Sequence, residues 1–208
     1  MVTADKRLAP PTRTVLNREY IAMRALALVD EIGMDKFSMR KLGTALGADP
    51  MAAYRHFTDQ QDLFDGMAAA MFDELELEKL PWQADWREMM RTYAHRLRSI
   101  LARHPDAVPI FATRPVRSAA AIDVGNRMIT QLTAAGFAPA AALQLSRCLR
   151  EFAIGHILSR VAAAGRGRKP ARDSPEYNEL AAAADAAAGD YFDIGLTAMF
   201  DGFDRSIG

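Results

Sequence analysis

The sequence has few of the residues that disulfide-bonded or metal-binding proteins need. Its 208 residues include one cysteine, Cys148, so the chain cannot form an internal disulfide or a multi-cysteine metal site. It also lacks an excess of charge of either sign, because Lys plus Arg and Asp plus Glu both number 26. Any affinity for nucleic acid must therefore come from a local basic patch.

Long apolar segments are also missing. The longest uncharged run, residues 128–146, is interrupted by Gly136 and Pro139 and contains polar side chains that a membrane span disfavours. Residues 1–15 contain no apolar stretch of the kind found in a secretory signal. We therefore expect no membrane partner and a cytoplasmic location, and the single cysteine suits a reducing compartment.

Common catalytic motifs are absent. The four histidines lack the H-E-x-x-H spacing, and neither G-x-S-x-G nor a phosphate-binding G-x-x-x-x-G-K-[ST] occurs. Residues 165–177, rich in Gly, Pro and charge, indicate a loop and not a phosphate site. Cys148 has no matched His and Asp in the sequence pattern. We predict that the protein is not an enzyme and needs no metal or cofactor.

Apolar residues recur at spacings of three and four along most of the chain, as at Ile21, Ala25 and Leu28, which predicts an all-α fold. We expect three short helices within residues 17–57, a fourth helix that bridges the two parts of the chain, and helices over residues 83–103, 106–111, 117–135, 139–164, 175–188 and 190–206.

Capping residues mark the ends of the first four helices. We predict N-caps at Asn17, Ser38 and Asp49, helix ends at Gly33 and Gly47, Pro50 in the first position of the third helix, and a capping box of Thr58 with Gln61.

The second and third helices, joined by the sequence GADP, have the form of a helix-turn-helix. Arg55, Met51 and Ala52 could face base edges, where an arginine can bind guanine through two hydrogen bonds. Lys41, Tyr54 and His56 suit phosphate contacts, which set register without reading sequence. Spacing alone leaves an ordinary solvated helix face equally open.

The segment GMDKFSMRKLGTALGADPMAAYRHFTDQQDL resembles the DNA-binding segment of the TetR (tetracycline repressor) family in order and spacing. The resemblance implies a DNA-binding domain over residues 17–63, after an N-terminal arm of residues 1–16 that we expect to be disordered. It assigns DNA-backbone contacts to Tyr54 and His56 and adds Arg40 of the second helix. Where the family usually has a phosphate-binding lysine, this chain has Gln60 or Gln61, so we expect weaker anchoring there.

The resemblance continues through HPDAVPIFATRP, FAIG and IGLTAMFDGFDR, which look like the effector domain of the tetracycline-repressor subclass. In that subclass, a histidine and an acidic residue help to hold a drug and Mg²⁺. Their positions here carry Ile110 and Ser159, which are poor ligands for Mg²⁺. We therefore expect an effector other than tetracycline–Mg²⁺, while the matching Thr113, Arg114 and Pro115 imply that the coupling loop is retained.

Residues 64–208 would then form an effector-binding and dimerisation domain. We predict an apolar pocket, although apolar residues at helical spacing are more often plain core. Its predicted lining is Met67, Met71, Tyr93, Leu97, Ile110, Phe111, Thr113, Arg114, Pro115, Met128, Ile129 and Glu151.

By the same resemblance, helices 139–164 and 190–206 form the interface of a homodimer. Gly195, Ala198 and Gly202 offer close approach, and Ile194, Met199, Phe200 and Phe203 offer apolar area. A two-fold dimer implies a palindromic double-stranded DNA operator. We predict a ligand-responsive regulator, a repressor released by a small apolar effector. The alternative is a helical DNA-binding protein without a small-molecule sensor.

Overall fold

The structure, a computed structural model, describes residues 16–49, 51–114, 118–164, 179–180, 182–183 and 189–205. Its helices are α1 (Arg18–Ile32), α2 (Met39–Leu46), α3 (Met51–Tyr54), α4 (Gln60–Asp73), α5 (Trp86–Arg103), α6 (Val108–Thr113), α7 (Ala119–Ala134), α8 (Pro139–Ala164) and α9 (Phe192–Asp204). Short 3₁₀ helices cover Met34–Lys36, Leu77–Lys79 and Pro105–Ala107. The expected all-α fold is confirmed across the described ranges. Within them, no helix is both long enough and apolar enough to cross a bilayer.

Local capping explains where the first helices begin and end. The Asn17 side chain accepts a hydrogen bond from the Tyr20 N–H, and Ser38 Oγ accepts one from the Lys41 N–H. Gly47 ends α2 in the left-handed conformation, with φ of 61°, which a residue without Cβ adopts at little cost. The predicted caps are confirmed at these positions, whereas Pro50 lies outside the described residues.

The predicted capping box of α4 is wrong by one residue. Asp59, not Thr58, is the N-cap, and its carboxylate accepts a hydrogen bond from the Asp62 N–H at 2.8 Å. The Asp62 carboxylate in turn accepts one from the Thr58 N–H at 2.9 Å. Two aspartates three residues apart thus take the roles that Thr and Gln were expected to play, since a carboxylate is the stronger acceptor for free helix N–H groups.

Helix α4 connects the two halves of the molecule, as predicted. It packs against α1 on one side and α6 on another. Phe57, Leu63, Met67 and Met71 are fully buried in one continuous core that extends from α1 to α9. The half that contains the helix-turn-helix is therefore not separated from the rest by a flexible linker.

In the larger half, α8 packs against both α5 and α7. Helix α5 begins at Trp86 because Asp85 caps it, accepting from the Arg87 N–H at 2.8 Å. Helix α6 begins later than predicted because Pro105–Ala107 forms a 3₁₀ turn before it. Helix α8 has the predicted bounds, while most of the helix predicted over residues 175–188 and the loop over 165–177 lie outside the described ranges.

Arginines along one face of α5 hold α9 by ion pairs. Arg87 lies 2.9 Å from the carboxylates of both Asp201 and Asp204, and Arg91 lies 3.0 Å from Asp193. Arg98 pairs with Asp190 just before α9 begins. The basic residues of α5 recur at three- and four-residue spacing, a sequence signal that marks one helix face but does not identify its partner.

Candidate functional site

The predicted DNA-binding residues lie on α2, on α3 and in the turn that follows α3. Arg40, Lys41, Tyr54 and Arg55 are exposed, Met51 is 62% exposed, and Ala52 and His56 are half-buried. The Asp49 carboxylate accepts from the Met51 N–H at 2.7 Å and so starts α3 immediately after the turn. The outer face of the helix-turn-helix therefore carries cationic, aromatic and small side chains next to one another.

The opposite face of this motif explains why those side chains point outward. Ala53 and Leu42 are fully buried, and Phe57 is 1% exposed against α1 and α4. Helix α3 is only four residues long, so burying Ala53 leaves its neighbours to face solvent. This burial fixes the orientation of the candidate recognition surface relative to the rest of the protein.

One of the predicted phosphate-binding groups already has a partner within the chain, because Lys41 Nζ donates to the Lys36 carbonyl oxygen at 2.8 Å. The backbone of His56 is also held, since its carbonyl oxygen accepts from Arg18 Nη1 at 2.9 Å. The start of α4 carries the carboxylates of Asp59 and Asp62, which repel an approaching phosphate. Of the capped N-termini in the motif, α2 has a neutral cap, Ser38, and is electrostatically better suited to an anion.

Arg18 and Asp62 lock α1 to the start of α4, a contact that sequence reasoning missed. The Arg18 guanidinium donates to the Asp62 carboxylate and lies 4.3 Å from the centre of the Phe57 ring. The hydrogen bonds from Arg18 and from the Thr58 N–H lower the pKa of Asp62 to about 2. No local signal identifies this pair, because the two residues lie 44 positions apart in the sequence.

Most of the predicted effector-binding residues are packed in the core. Met67, Met71, Tyr93, Leu97, Ile110, Phe111 and Met128 are buried, and Ile129 is partly buried against them. Burial raises the pKa of the Tyr93 phenol. Thr113 and Glu151 are exposed and are not part of this packed group, and Pro115 lies outside the described residues.

Two arginines hold α6 in place. Arg150, half-buried on α8, donates to the Phe111 carbonyl oxygen at 2.6 Å and lies 5.2 Å from the centre of its ring. Arg114, directly after α6, donates to the Gln61 carbonyl oxygen at 3.0 Å and also binds the carboxylate of Asp65. The short helix is thus joined to α8 at its carbonyl end and to α4 through the residue that follows it.

The family description "Tetracyclin repressor-like, C-terminal domain" matches residues 80–206. The class A tetracycline repressor from transposon 1721 of Escherichia coli is 31% identical over 91% of each chain. The chain belongs to the TetR family. The class G tetracycline repressor of Vibrio anguillarum is 29% identical, covering 92% of this chain and 95% of its own.

A solved structure shows the same fold. A single-substitution variant of TetR from Acinetobacter baumannii AYE, in complex with minocycline, is 27% identical and has a TM-score of 0.75, covering 93% of this chain and 99% of its own. The protein is therefore a TetR-family transcriptional regulator and not an enzyme, and its family responds to ligands.

The two positions that the tetracycline-repressor resemblance assigns to Mg²⁺ binding do not suit a cation in this TetR-family chain. Ile110 is a buried hydrocarbon, and Ser159 Oγ donates to the His156 carbonyl oxygen at 2.9 Å. In the part of the chain that the structure describes, no group of three or more His, Cys, Asp or Glu side chains is arranged to hold a metal ion.

The helices predicted for dimerisation expose some of their apolar side chains and bury others. Ile194 is 72% exposed, and Leu158 and Val161 of α8 are exposed as well. Phe200, expected at the interface, is instead fully buried against Trp86 of the same chain, with ring centres 5.5 Å apart. Gly195 allows a close approach within the same chain, because a Cβ at this position would collide with the Phe152 ring.

Proposed function

We propose that this protein is a homodimeric repressor that binds a palindromic DNA operator and is released by a small, largely apolar effector other than tetracycline–Mg²⁺. The proposal that the protein binds DNA is based on the exposed face of α2 and α3, where Arg55 and Met51 lie beside Tyr54. A protein that acts on an operator must share a compartment with chromosomal DNA, so we place it in the cytoplasm.

The exposed face fits a major groove in size and chemistry. Small Ala52 allows close approach of the helix backbone to base edges, and Arg55 can bind guanine through two hydrogen bonds. Arg40, Lys41, Tyr54 and His56 surround it and suit contacts with phosphates. The cations near α3 supply the local basic patch that a chain of zero net charge requires.

The packed residues between α4 and α8 support an apolar effector site. Met67, Met71 and Met128 have flexible, polarisable side chains that adapt to irregular ligands. The hydrocarbon side chain of Ile110 cannot act as a ligand of Mg²⁺. We therefore do not propose minocycline, which the Acinetobacter relative binds, as the effector of this protein. An effector would have to open this core.

The two arginine contacts supply a route from the effector core to the DNA-binding half. A ligand that displaces Phe111 or its carbonyl oxygen breaks the bond from Arg150 and loosens α6. Arg114 follows α6 directly and binds the first turn of α4, so movement of α6 shifts α4 and the attached helix-turn-helix. DNA is released when the ligand binds this second arrangement more tightly than the first.

Exposed Ile194, Leu158 and Val161 support a dimer through α8 and α9. Apolar side chains this exposed on two neighbouring helices gain free energy when a partner covers them. A two-fold axis through these helices places two α3 helices on successive turns of a major groove, about 34–36 Å apart.

Selection of bound sequences from a random DNA pool at physiological salt tests the proposal. We expect enrichment of a palindrome with half-sites about one helical turn apart. The enriched site then serves as the reporter in a compound screen for DNA release. Lack of enrichment contradicts DNA recognition, and enrichment with no ligand-dependent release or stabilisation favours a DNA-binding protein without a sensor.

A further inference from the structure

His104 is a polar side chain that is buried where α5 ends and the chain turns toward α6. The residue is 6% exposed. Its N–H donates to the Ile100 carbonyl oxygen at 3.1 Å, and its own carbonyl oxygen accepts from the Ala107 N–H at 3.0 Å. Pro105 follows and cannot continue the hydrogen bonding of α5, because it has no N–H. The backbone thus fixes the point from which the imidazole ring extends.

The two ring nitrogens of His104 contact carboxylates on two different helices. Nδ1 lies 2.7 Å from Oδ2 of Asp30, which is in the last turn of α1. Nε2 lies 3.1 Å from Oε2 of Glu74, the residue that caps the end of α4. Helices α1 and α4 therefore end at the same imidazole ring, beside the 3₁₀ turn that leads into α6.

These two contacts require a positively charged ring. An ionised carboxylate can only accept hydrogen bonds, and a neutral imidazole has a single N–H to donate. Two carboxylate acceptors at hydrogen-bonding distance therefore need a proton on both nitrogens. The positive charge also suits its location, because the carbonyl ends of α1 and α4 carry partial negative charge, which two unpaired carboxylates would add to.

The neighbouring charges determine which contact depends on the second proton. Arg103 Nη1 donates to the same Glu74 oxygen at 2.7 Å, so Glu74 has another cationic partner. Asp30 has no other partner within the described residues. A neutral ring would therefore keep its proton on Nδ1, and Nε2 would face the Glu74 carboxylate as a second acceptor. Three further carboxylates lie close in the chain or line the same groove, those of Asp73, Glu76 and Asp106.

We propose that His104 is a positioning residue whose positive charge holds the end of α4 to the 3₁₀ turn before α6. With both nitrogens protonated, the ring joins α1 and α4. Loss of the Nε2 proton leaves the ring attached to α1 and weakens its hold on α4. Arg114 binds the first turn of α4, so the residues on either side of α6 contact α4 at both of its ends. The effect of this contact on DNA release rests on the proposed function, whereas the contact itself does not.

Nitrogen-15 NMR of the full-length protein, labelled at histidine, detects the two ring protons directly. Ring N–H groups that are buried and hydrogen-bonded exchange slowly with water and so give observable signals. At about pH 6, we expect two such signals that are absent from the His104→Gln variant. Raising the pH should remove the Nε2 signal first. A single His104 N–H signal at about pH 6, or none, would overturn the proposal, since the ring would then not donate to both carboxylates.

Hydrogen exchange then tests whether this charge holds α4. Protection of the amides in the last turn of α4, corrected for the intrinsic rate at each pH, is compared below and above the pH at which the Nε2 proton is lost. It should fall about fivefold in the wild type, the effect of losing one partly exposed charged contact. His104→Arg is charged at every pH used and should retain the protection, whereas His104→Gln should lack it throughout.

Two controls separate a local effect from a global one. Amides in the middle of α5 report changes in the stability of the whole protein. His95→Gln, at a partly exposed histidine that pairs with Asp193, should show the wild-type profile. Glu74→Gln should make the protection independent of pH, because its amide can accept from the charged ring or donate to the neutral one.

Unchanged protection in His104→Gln would overturn the proposal. So would a fall with pH that His104→Arg or Glu74→Gln shows as strongly as the wild type. Glu74→Gln keeps the test valid if the larger arginine side chain does not fit at position 104. Neither measurement uses DNA or an effector, so this proposal and the proposed function fail separately.

Discussion

Arg114 donates a hydrogen bond to the Gln61 carbonyl oxygen at 3.0 Å, joining the residue after α6 to the first turn of α4. The same guanidinium binds Asp65 and lies 5.5 Å from the centre of the Phe64 ring. Arg114 thus contacts three positions along one face of α4. The contact places a charged side chain of the larger half against the helix that leads to the helix-turn-helix.

Arg114→Ala should loosen the start of α4. Losing a partly exposed, charged contact costs about 1 kcal/mol locally, which corresponds to about fivefold faster opening. Hydrogen exchange of the free protein should therefore accelerate at the amides of the first turns of α4. Arg55→Ala, at an exposed position directly after α3, is the control and should leave these amides unchanged. If hydrogen exchange at these amides is unchanged in the Arg114 variant, Arg114 does not belong to the proposed route from the effector core to α4.

Gly66→Ala should destabilise the protein because α1, α4 and Phe57 approach closely at this point. An added Cβ would lie 2.9 Å from the buried Phe57 ring and 3.3 Å from the Ala22 Cβ. Such overpacking costs about 1–3 kcal/mol. Gly125→Ala on α7 meets nothing within 4 Å and should be neutral or stabilising by up to about 1 kcal/mol. Urea unfolding at one fixed protein concentration compares the two, and equal midpoints would contradict the close approach.

Arg55→Ala and Lys41→Ala should differ in how they affect DNA binding. If Arg55 reads a base, its loss costs about 1–3 kcal/mol at one operator position and relaxes specificity there. Loss of Lys41, the proposed phosphate contact, should weaken binding to all sequences alike and flatten the salt dependence. Competition binding with operator variants at two salt concentrations measures both effects. A uniform loss on every sequence for Arg55→Ala would make this residue a phosphate contact instead.

Ile194→Glu should break the proposed dimer, because a charge would replace an apolar side chain that is 72% exposed on α9. Sedimentation velocity should then show a monomer or a much weaker dimer. Ile122→Glu on α7, also an exposed isoleucine, is the matched control and should leave the dimer intact. An intact dimer in the Ile194 variant would place the interface elsewhere.

His156 should make stability depend on pH. It is buried among the rings of Phe152, Tyr191 and Phe192, and neither ring nitrogen has a hydrogen-bond partner within the described residues. Burial, followed by the charge of Arg98, lowers its pKa, with a further contribution from Arg160, while Asp190, 4.0 Å away, acts in the opposite direction. Folding therefore favours the neutral form.

The unfolded chain takes up a proton at His156 near pH 6.5 that the folded chain resists, so stability should fall as the pH drops below about 6.5. His156→Leu removes this contribution and should flatten the decrease between about pH 7 and 5.5 in urea unfolding. His56→Gln, at a half-buried surface position, serves as the control. An unchanged pH dependence in the His156 variant would contradict the assignment.

The sequence by itself determined the helices and most of their ends, because capping depends on residues within one turn of each other. Asn17, Ser38 and Gly47 were predicted correctly for this reason. The displaced N-cap of α4 is also local, since the aspartates at its start outcompete Thr58 and Gln61 as acceptors. The family was indicated by the resemblance of the helix-turn-helix segment and of later segments to the TetR family, and not by the spacing of the motif alone.

Only the tertiary structure decided which side chains face one another across long separations in the chain. Arg18 meets Asp62 through packing that leaves no periodic trace in the sequence. Phe200 and Ile194 have similar apolar character and lie on one helix, yet one is buried in its own chain and the other is exposed. Helical periodicity marks a face as apolar, but the neighbouring helices determine what covers that face, because burial depends on how whole elements pack.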